Sequence, residues 1–543
     1  MSLLEFERRR DDDERATRYV AEGSWTDETL GSILAAGFAE SPERIVSFRS
    51  DVRPWRGTYA DASDIVRRVA GGLRAAGVGP GDVVAFQIPN WMEAAATFWA
   101  AAFLGAAVVP IVHFYGPKEV EFILRQSGAR WFVTADKFGH LDFAANLEQI
   151  RPRIGTLEDV FVVGDSVPSG ARAFASLMDA DAIEGPAETD PMAPALIAYT
   201  SGTTADPKGV VHSHRTIGFE TKQLANMAAT VSGRSMLVGA PVGHAIGMLA
   251  ALLIPVYRRE SIFLIDVWDP KKVLAAMLED DLSSGSGATY FLTSLLDHPD
   301  FTPEHAAKMQ RIGLGGSVVP TAVSERAESM GMSVVRSFGA TEHPSITGAT
   351  HDEPLDKRIT TDGHALPGVE LELRDDDGTR VGIGEPGEIF SKGPDCFIGY
   401  TDPVLTKASI DDDGWFATGD VGVLDEAGYL TIVDRKKDII IRGGENVSAL
   451  EVEDQIVRMP GVAEVAVVAA PDPKFGEHGA AFVRMLPDGG TVPSLEQMRE
   501  HLRESGLAKQ KWPEEVHAIE DFPRTPSGKI KKFTLREQLR NKD

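Results

Sequence analysis

The amino-acid sequence predicts an α/β protein with a large and a small domain, on three observations. Apolar runs such as "DVVAFQI", "AAVVPIV", "ARWFVTA", "DVFVVG", "PALIAYTS" and "SMLVGA" alternate with helix-like stretches rich in Ala, Leu and Arg. This is the pattern of parallel strands covered by helices on both faces. From about Leu371 the texture turns to hairpin-like pieces, "VELELRDDDGTRVG" and "GEIFSKG", which predict a β-rich subdomain over about 370–436. Finally, 543 residues exceed what one hydrophobic core usually serves. The charged, glycine-paired segment "DRKKDIIIRGGENV" (434–447) breaks the pattern before a remainder about the size of one small domain. The expected division is a large domain of helix-covered sheets over 1–436 and a small α+β domain over 437–543.

Taken in order, the opening "MSLLEFERRRDDDERATRYV" alternates blocks of both charges and reads as a solvated amphipathic helix without the apolar run of a signal peptide. The uncharged stretch "AAATFWAAAFLGAAVVPIV" (94–112) has the length of a membrane span, but Gly105 and Pro110 cut it and β-formers follow Gly105. A buried helix followed by a buried strand is expected there, with no membrane span. The 81 acidic against 55 basic side chains leave a formal net charge of −26, which repels a phosphate backbone and argues against a nucleic-acid partner. Cys396 is the only cysteine, so no intramolecular disulfide or thiolate zinc cluster is available. A small buried side chain in a reducing cytoplasm is the expected setting.

The segment "YTSGTTADPKGVVHSH" (199–214) follows a predicted strand and precedes the helix-like "HRTIGFETKQLANMAATV". It is not a Walker loop: Gly202 is followed by Pro207, Lys208 and Gly209, so the second glycine and the magnesium-binding hydroxyl of that motif are missing. Thr200, Ser201, Thr203 and Thr204 nevertheless place hydroxyl donors around Gly202, and the backbone amides of such a loop can cradle an anion. Lys208 adds a mobile point charge suited to a departing phosphate. Taken alone, an ordinary polar strand-to-helix turn would account for the same residues.

Three further pieces occur with this loop: "SFGATEHP" (337–344), "GWFATGDVG" (414–422) running on to "DRKKDIIIRGGENV", and "PRTPSGKIKK" (523–532). In this order, over about 42–532, the chain resembles the adenylate-forming superfamily of acyl-CoA synthetases, luciferases and peptide-synthetase adenylation domains. Two positions depart from the family pattern: Ala205 stands where glycine is usual and Phe338 where tyrosine is more common. The resemblance implies that the loop holds the β- and γ-phosphates of ATP. It implies that Ser337, Phe338, Gly339, Ala340 and Thr341 line the nucleotide, with Phe338 against adenine and Thr341 at phosphate. Glu342 would bind Mg²⁺, a hard cation that takes oxygen ligands. Within "GLGGS" (313–317), Gly316 and Ser317 would border the nucleotide and Gly315 the acyl group. Asp420 would accept both ribose hydroxyls, joined by Arg435 at ribose and phosphate. Lys437 would be the hinge of a mobile small domain. Gly443 and Gly444 would flank the tunnel for coenzyme A, where a side chain would obstruct the thiol. Lys529 would be the catalytic lysine, delivered by movement of the small domain.

The implied reaction is activation of a carboxylic acid by MgATP to an acyl-adenylate, followed by displacement of AMP by the thiol of CoA. For the acid, the segment "APVGHAIGMLAA" (240–251) offers no carboxylate to an amino-acid ammonium. His244 matches the family's pocket-wall position, and Val242, Ile246, Gly247 and Met248 predict an apolar acyl pocket. A medium-chain or alicyclic hydrophobic acid is expected, ahead of a long-chain fatty acid or a fatty acyl-AMP ligase serving a carrier protein. A luciferase-like oxygenase, an amino-acid adenylation domain and a catalytically silent nucleotide-binding sensor are the remaining readings. A homodimer, and regulatory acetylation at Lys529 in its Pro-x4-Gly-Lys spacing, are further expectations.

Overall fold

The computed structural model describes residues 13–200, 207–227, 234–316, 319–525 and 528–540. Its central feature is an eight-stranded sheet. Strands Ala107–Pro110, Val83–Gln87, Trp131–Ala135 and Asp159–Val163 pair in parallel, and Pro194–Thr200 joins them in parallel beside Ala107–Pro110. The first four are buried at almost every position, which is why they read as continuous apolar runs without alternation. Helix Met92–Phe103 covers the sheet and is buried at every residue but Glu93. Its Trp99 is fully buried and donates Nε1–H to the Leu252 carbonyl at 3.0 Å. The chain turns at Gly105, φ 67°, a left-handed conformation that glycine adopts without a Cβ penalty, and enters Ala107–Pro110. The uncharged stretch is therefore a helix and a strand of the core. Among the described residues no helix is long and apolar enough to cross a membrane.

The large domain has more than one such sheet: Leu237–Val238 pairs with Ile262–Ile265 in a separate four-stranded sheet with Ile45–Arg49 and Trp55–Thr58. One reading is corrected: the segment after Thr200 is not a strand-to-helix turn. It connects two antiparallel strands, Pro194–Thr200 and Lys208–Ser213, in a register that sets Thr200 opposite Lys208. Helix His214–Met227 begins only after the second strand. The hydrogen-bonding edge that Lys208–Ser213 offers to Pro194–Thr200 and to Gly399–Tyr400 outweighs the local helical signal.

A third sheet, Arg311–Leu314, Ser333–Phe338, Thr347–Gly348 and His364–Ala365, leads into a fourth. The fourth is antiparallel: Glu370–Arg374, Gly387–Lys392, Phe416–Leu424 and Leu430–Arg435. The last sheet is built from Ile440–Arg442, Glu445–Val447, Val462–Asp472, Gly476–Met485 and Glu515–Ala518. Helices pack on both of its faces, around one apolar cluster with Val452, Ile456, Met498 and Leu502 and another with Phe522, Leu535 and Leu539. Each fully buried large apolar side chain contributes about 1.5–3 kcal/mol to such a core.

This small C-terminal unit is docked on the large one by specific contacts. Helix Thr321–Ser329 starts after Pro320, which has no side-chain cap to offer, and the Thr321 amide donates to Asp454 Oδ1 across the interface at 3.1 Å. Arg458 pairs with Glu325 at 3.1 Å. The Arg524 guanidinium lies 5.0 Å from the centre of the Tyr290 ring.

Candidate active site

Several strands and loops supply the candidate site. The hairpin of Pro194–Thr200 and Lys208–Ser213 contributes Thr200 and Lys208; Ser201, Gly202, Thr203 and Thr204 lie outside the described residues. Strand Ser333–Phe338 contributes Ser337 and Phe338 and runs into a tight loop in which the Ala340 amide donates to the His343 carbonyl at 2.9 Å. A Cβ on Gly339 would overlap the Pro344 carbonyl, so this turn needs glycine. Phe338 is half-buried and packs on the Leu373, Ile389 and Leu430 cluster of the antiparallel sheet. Gly315 abuts Ser337, whose Oγ would lie 2.5 Å from an added Cβ, and Gly316, φ 71°, abuts Ile246. Ser317 lies outside the described residues.

The loop presenting Thr341 and Glu342 is fixed from behind by a buried polar cluster. His212 is fully buried, and burial lowers its pKa to about 4, so the imidazole is neutral. Its Nε2 lies 2.8 Å from the Thr341 carbonyl, and since a carbonyl can only accept, the proton sits on Nε2. The Phe397 amide donates to the Glu342 carbonyl at 2.7 Å. His343 is held between Ser391 Oγ at 2.8 Å and Asp395 Oδ1 at 3.2 Å, with all three side chains inaccessible to solvent. Beside them, burial and the Asp395 carboxylate push Glu220 well above the ordinary carboxylate range, and Glu220 Oε1 accepts from Ser345 Oγ at 2.7 Å.

The Glu342 side chain points to Tyr400, which donates its hydroxyl to Oε1 at 2.6 Å. Burial and the Glu342 carboxylate raise the phenol well above its usual range, so it stays a donor. Lys208 Nζ lies 5.3 Å from the centre of the same ring. Lys208, Tyr400 and Glu342 thus form one contiguous row. Sequence reasoning missed Tyr400, and its one local signal is the Gly399–Tyr400 strand end in "PDCFIGY".

Asp420 and Arg435 sit opposite each other on neighbouring antiparallel strands, with Arg435 Nε 2.9 Å from Asp420 Oδ1. Asp420 is 4% exposed; burial raises its pKa and the Arg435 guanidinium pulls it back. Lys529 enters from the C-terminal unit on a turn closed by its carbonyl accepting from the Thr525 amide at 2.7 Å, with Gly528 at φ 83°. A Cβ on Gly528 would lie 3.4 Å from Tyr290 Cβ, so this turn is seated on the large domain. Burial, with Arg435 and Lys437 nearby, lowers the Lys529 pKa to about 8 against the opposing pull of Asp420 and Glu342. Lys437 is itself shifted down, by burial and Arg435. His244 caps the short helix Ala245–Met248, its Nδ1 accepting from the Ile246 amide at 3.4 Å. Burial and the Lys529 charge lower its pKa to about 4, which leaves it neutral next to the lysine.

Gly443 and Gly444 are not brought to this cluster. They form the exposed turn between Ile440–Arg442 and Glu445–Val447, with φ of 59° and 90°, and a Cβ on Gly444 would meet no atom within 4 Å. Val242 and Met248 are both buried, and neither is among the lining residues of the apolar cavity beside the site. The Val242 amide donates to Asn90 Oδ1 at 2.9 Å. The apolar cavity beside the site has a volume of 160 Å³, and Gly239, Ile246, Ala250, Trp268, Gly287 and Phe291 are among its lining residues. A larger cleft of 560 Å³ lies between Ile45–Arg49 and helix Pro270–Glu279 and contains none of the residues above. Its Arg49 and Lys272 are paired with Glu279, Asp280 and Asp51, which leaves it little net attraction for an anion.

The sequence matches the AMP-binding enzyme family over residues 36–401 and the AMP-binding enzyme C-terminal domain over 451–529. It is 31% identical over 531 residues to the medium-chain fatty-acid–CoA ligase of Escherichia coli (strain K12), spanning 97% of this chain and 93% of that protein. It is 34% identical over 527 residues to the 3-[(3aS,4S,7aS)-7a-methyl-1,5-dioxo-octahydro-1H-inden-4-yl]propanoyl:CoA ligase of Rhodococcus jostii (strain RHA1), spanning 94% and 98%. ATP-bound MatB from Rhodopseudomonas palustris aligns with a TM-score of 0.82 at 28% identity, covering 94% of this chain and 99% of MatB. Apo MatB from the same organism aligns with a TM-score of 0.73 at 29% identity. With its large N-terminal and small C-terminal domain, and with the two family matches in order along its length, the chain belongs to the adenylate-forming AMP-binding enzymes.

Proposed function

We propose that this enzyme ligates a medium-chain or alicyclic hydrophobic carboxylic acid to CoA through an acyl-adenylate, releasing pyrophosphate and AMP. The observation that carries the reading is the convergence of Lys529 on Asp420, Arg435 and Glu342 beside an uncharged cavity. A carboxylate is a poor acyl donor, because its charge repels nucleophiles and its oxygen would leave as oxide. Attack of a carboxylate oxygen on the α-phosphorus of ATP, with cleavage of the bond to the bridging oxygen, turns that oxygen into part of a good leaving group. Negative charge grows on the nonbridging α-oxygens in flight. The group read as stabilising it is the Lys529 ammonium, on a turn that packs against Tyr290. Lys208 serves the departing pyrophosphate, Asp420 and Arg435 hold the ribose, and neutral His244 adds no charge that would repel Lys529.

Mg²⁺ enters as part of the MgATP substrate. Glu342 would hold it through a carboxylate oxygen, the kind of ligand a hard cation takes. The Tyr400 hydrogen bond orients that carboxylate.

In the second step the thiol sulfur of CoA bonds to the acyl carbon, AMP leaves, and the thiol proton is released. Gly443 and Gly444, exposed while Lys529 occupies the site, are read as the surface that a rotation about Lys437 brings in. The domain boundary proposed from this is residue 437, with the β-rich subdomain over about 370–436. A medium-chain and a fused-ring propanoic acid, the substrates named for the two curated relatives, both fit the class of hydrophobic acid proposed here. The test is a panel of acids of graded length and ring content, scored for pyrophosphate release with MgATP and for CoA-dependent AMP formation. Preference for free amino acids would overturn the substrate class, and pyrophosphate release without any CoA-dependent product would favour a carrier-protein ligase.

A further inference from the structure

The cavity beside His244 is closed on one side by an anchored indole. Trp268 donates Nε1–H to Ser294 Oγ at 2.9 Å, and its ring meets that of Phe291 edge-on at 4.6 Å between centroids. Its other support is backbone: a Cβ on Gly239 would overlap Trp268 Cε3, so the ring lies directly on the chain at that glycine. With one hydrogen bond, one ring contact and one backbone contact, the indole has little freedom to swing aside.

The anchor of Trp268 is set away from the lysine. Helix Thr289–Leu296 begins beside Lys529, since Tyr290 is the residue against which Gly528 packs. Ser294, which holds Trp268, lies four residues further along that helix, about 6 Å at 1.5 Å per residue. Ile246, also in the lining, is in contact with Gly316 and two residues from His244. The remaining polar side chains of the lining are occupied: Ser284 Oγ donates to the Leu237 carbonyl at 2.9 Å, and Ser286 Oγ accepts from the Gly313 amide at 3.3 Å. No lining residue carries a charge. At 160 Å³ the cavity lies below the roughly 300–1,000 Å³ of pockets that take drug-sized ligands, which suits one ring or a short chain over a long one.

We propose that Trp268, held by Ser294 and braced on Gly239, is the specificity-determining floor of the acyl site and restricts the enzyme to compact hydrophobic acids. The inference rests on the acid-ligase reading above and adds to it which residue sets the size limit. Its test is the ratio of kcat/KM for dodecanoate to that for hexanoate, with cyclohexanecarboxylate as a third acid, by pyrophosphate release in the full-length wild type and in Trp268→Ala, Trp268→Phe and Ser294→Ala. The wild type should favour hexanoate and cyclohexanecarboxylate. Trp268→Ala should raise the dodecanoate-to-hexanoate ratio by at least about tenfold, the scale on which a hydrophobic pocket discriminates size. Ser294→Ala, which frees the indole without removing it, should move the ratio in the same direction by less. Should Trp268→Ala fail to fold, Trp268→Phe and Ser294→Ala decide the matter. An unchanged ratio in variants that still activate hexanoate would overturn the role of Trp268 and leave the ligase reading intact. So would a wild type that uses dodecanoate as well as hexanoate. A wild type that activates none of the acids would overturn both.

Discussion

Removing the ammonium of Lys529 tests the proposed chemistry most directly. The Lys529→Ala substitution deletes a charge that faces Glu342, Asp420 and Arg435 in a half-buried site while leaving the turn at Gly528 in place. If that charge acts on the α-phosphate in flight, acyl-AMP formation should fall by about 10²–10³, the equivalent of about 2.7–4 kcal/mol for one preorganised stabiliser. A pH signature accompanies it. The Lys529 pKa lies at about 8, so the charged form is present below that value and is lost as pH rises through it. The ammonium fraction is roughly 0.9 at pH 7 and roughly 0.1 at pH 9, so kcat/KM of the adenylation step, which reports the free enzyme, should drop about tenfold between them. ATP, being anionic, raises the lysine pKa once bound, so kcat should stay flat to higher pH than kcat/KM. In Lys529→Ala the inflection near pH 8 should disappear. The assay compares pyrophosphate release from acid plus MgATP with thioester formation from synthetic acyl-AMP plus CoA. With the proposed rotation of the small domain, which would carry the lysine away before the second step, that rate should change little. Equal loss in both half-reactions, or a wild-type kcat/KM that is flat to pH 9, would refute the assignment.

Other perturbations separate the two steps further. Gly444→Leu places a side chain at a position with φ of 90° and open space around it. Local strain of about 1–2 kcal/mol is the expected cost to stability, and thioester formation should be blocked while pyrophosphate release is spared; parallel loss of both would remove Gly444 from the thiol's path. Asp454→Ala removes the acceptor for the Thr321 amide across the domain interface. A lost cap of about 1 kcal/mol should lower adenylation about fivefold and leave the acyl-AMP half-reaction unchanged, and equal effects on both would show that the contact does not hold the first orientation. Enzymatic acetylation of Lys529 deletes its charge and should inactivate adenylation reversibly, with activity restored by a deacetylase; full activity at complete modification, measured by mass spectrometry, would contradict the role of the ammonium.

Much of this molecule is local in origin and so legible in the sequence. Buried parallel strands such as Val83–Gln87 and Trp131–Ala135 announce themselves as unbroken apolar runs, because both of their faces are covered. The uncharged stretch around Gly105 resolves into helix and strand because glycine and proline punctuate it. Glu342, Asp420, Arg435 and Lys529 stand in short contiguous motifs, since loop geometry at each depends on its immediate neighbours. Tertiary structure alone decided the rest. That Leu237–Val238 leaves the main sheet, and that Lys208–Ser213 forms a strand, depends on which distant edges offer hydrogen-bonding partners. The Tyr400 hydroxyl on Glu342 joins residues 58 positions apart. Val242 and Met248 sit beside His244 in sequence yet are not among the cavity's lining residues, whereas Gly239, Trp268 and Phe291, drawn from separate segments, are. An apolar side chain satisfies its local pattern equally well in a solid core or beside a cavity, and only the packing of remote elements against it decides which.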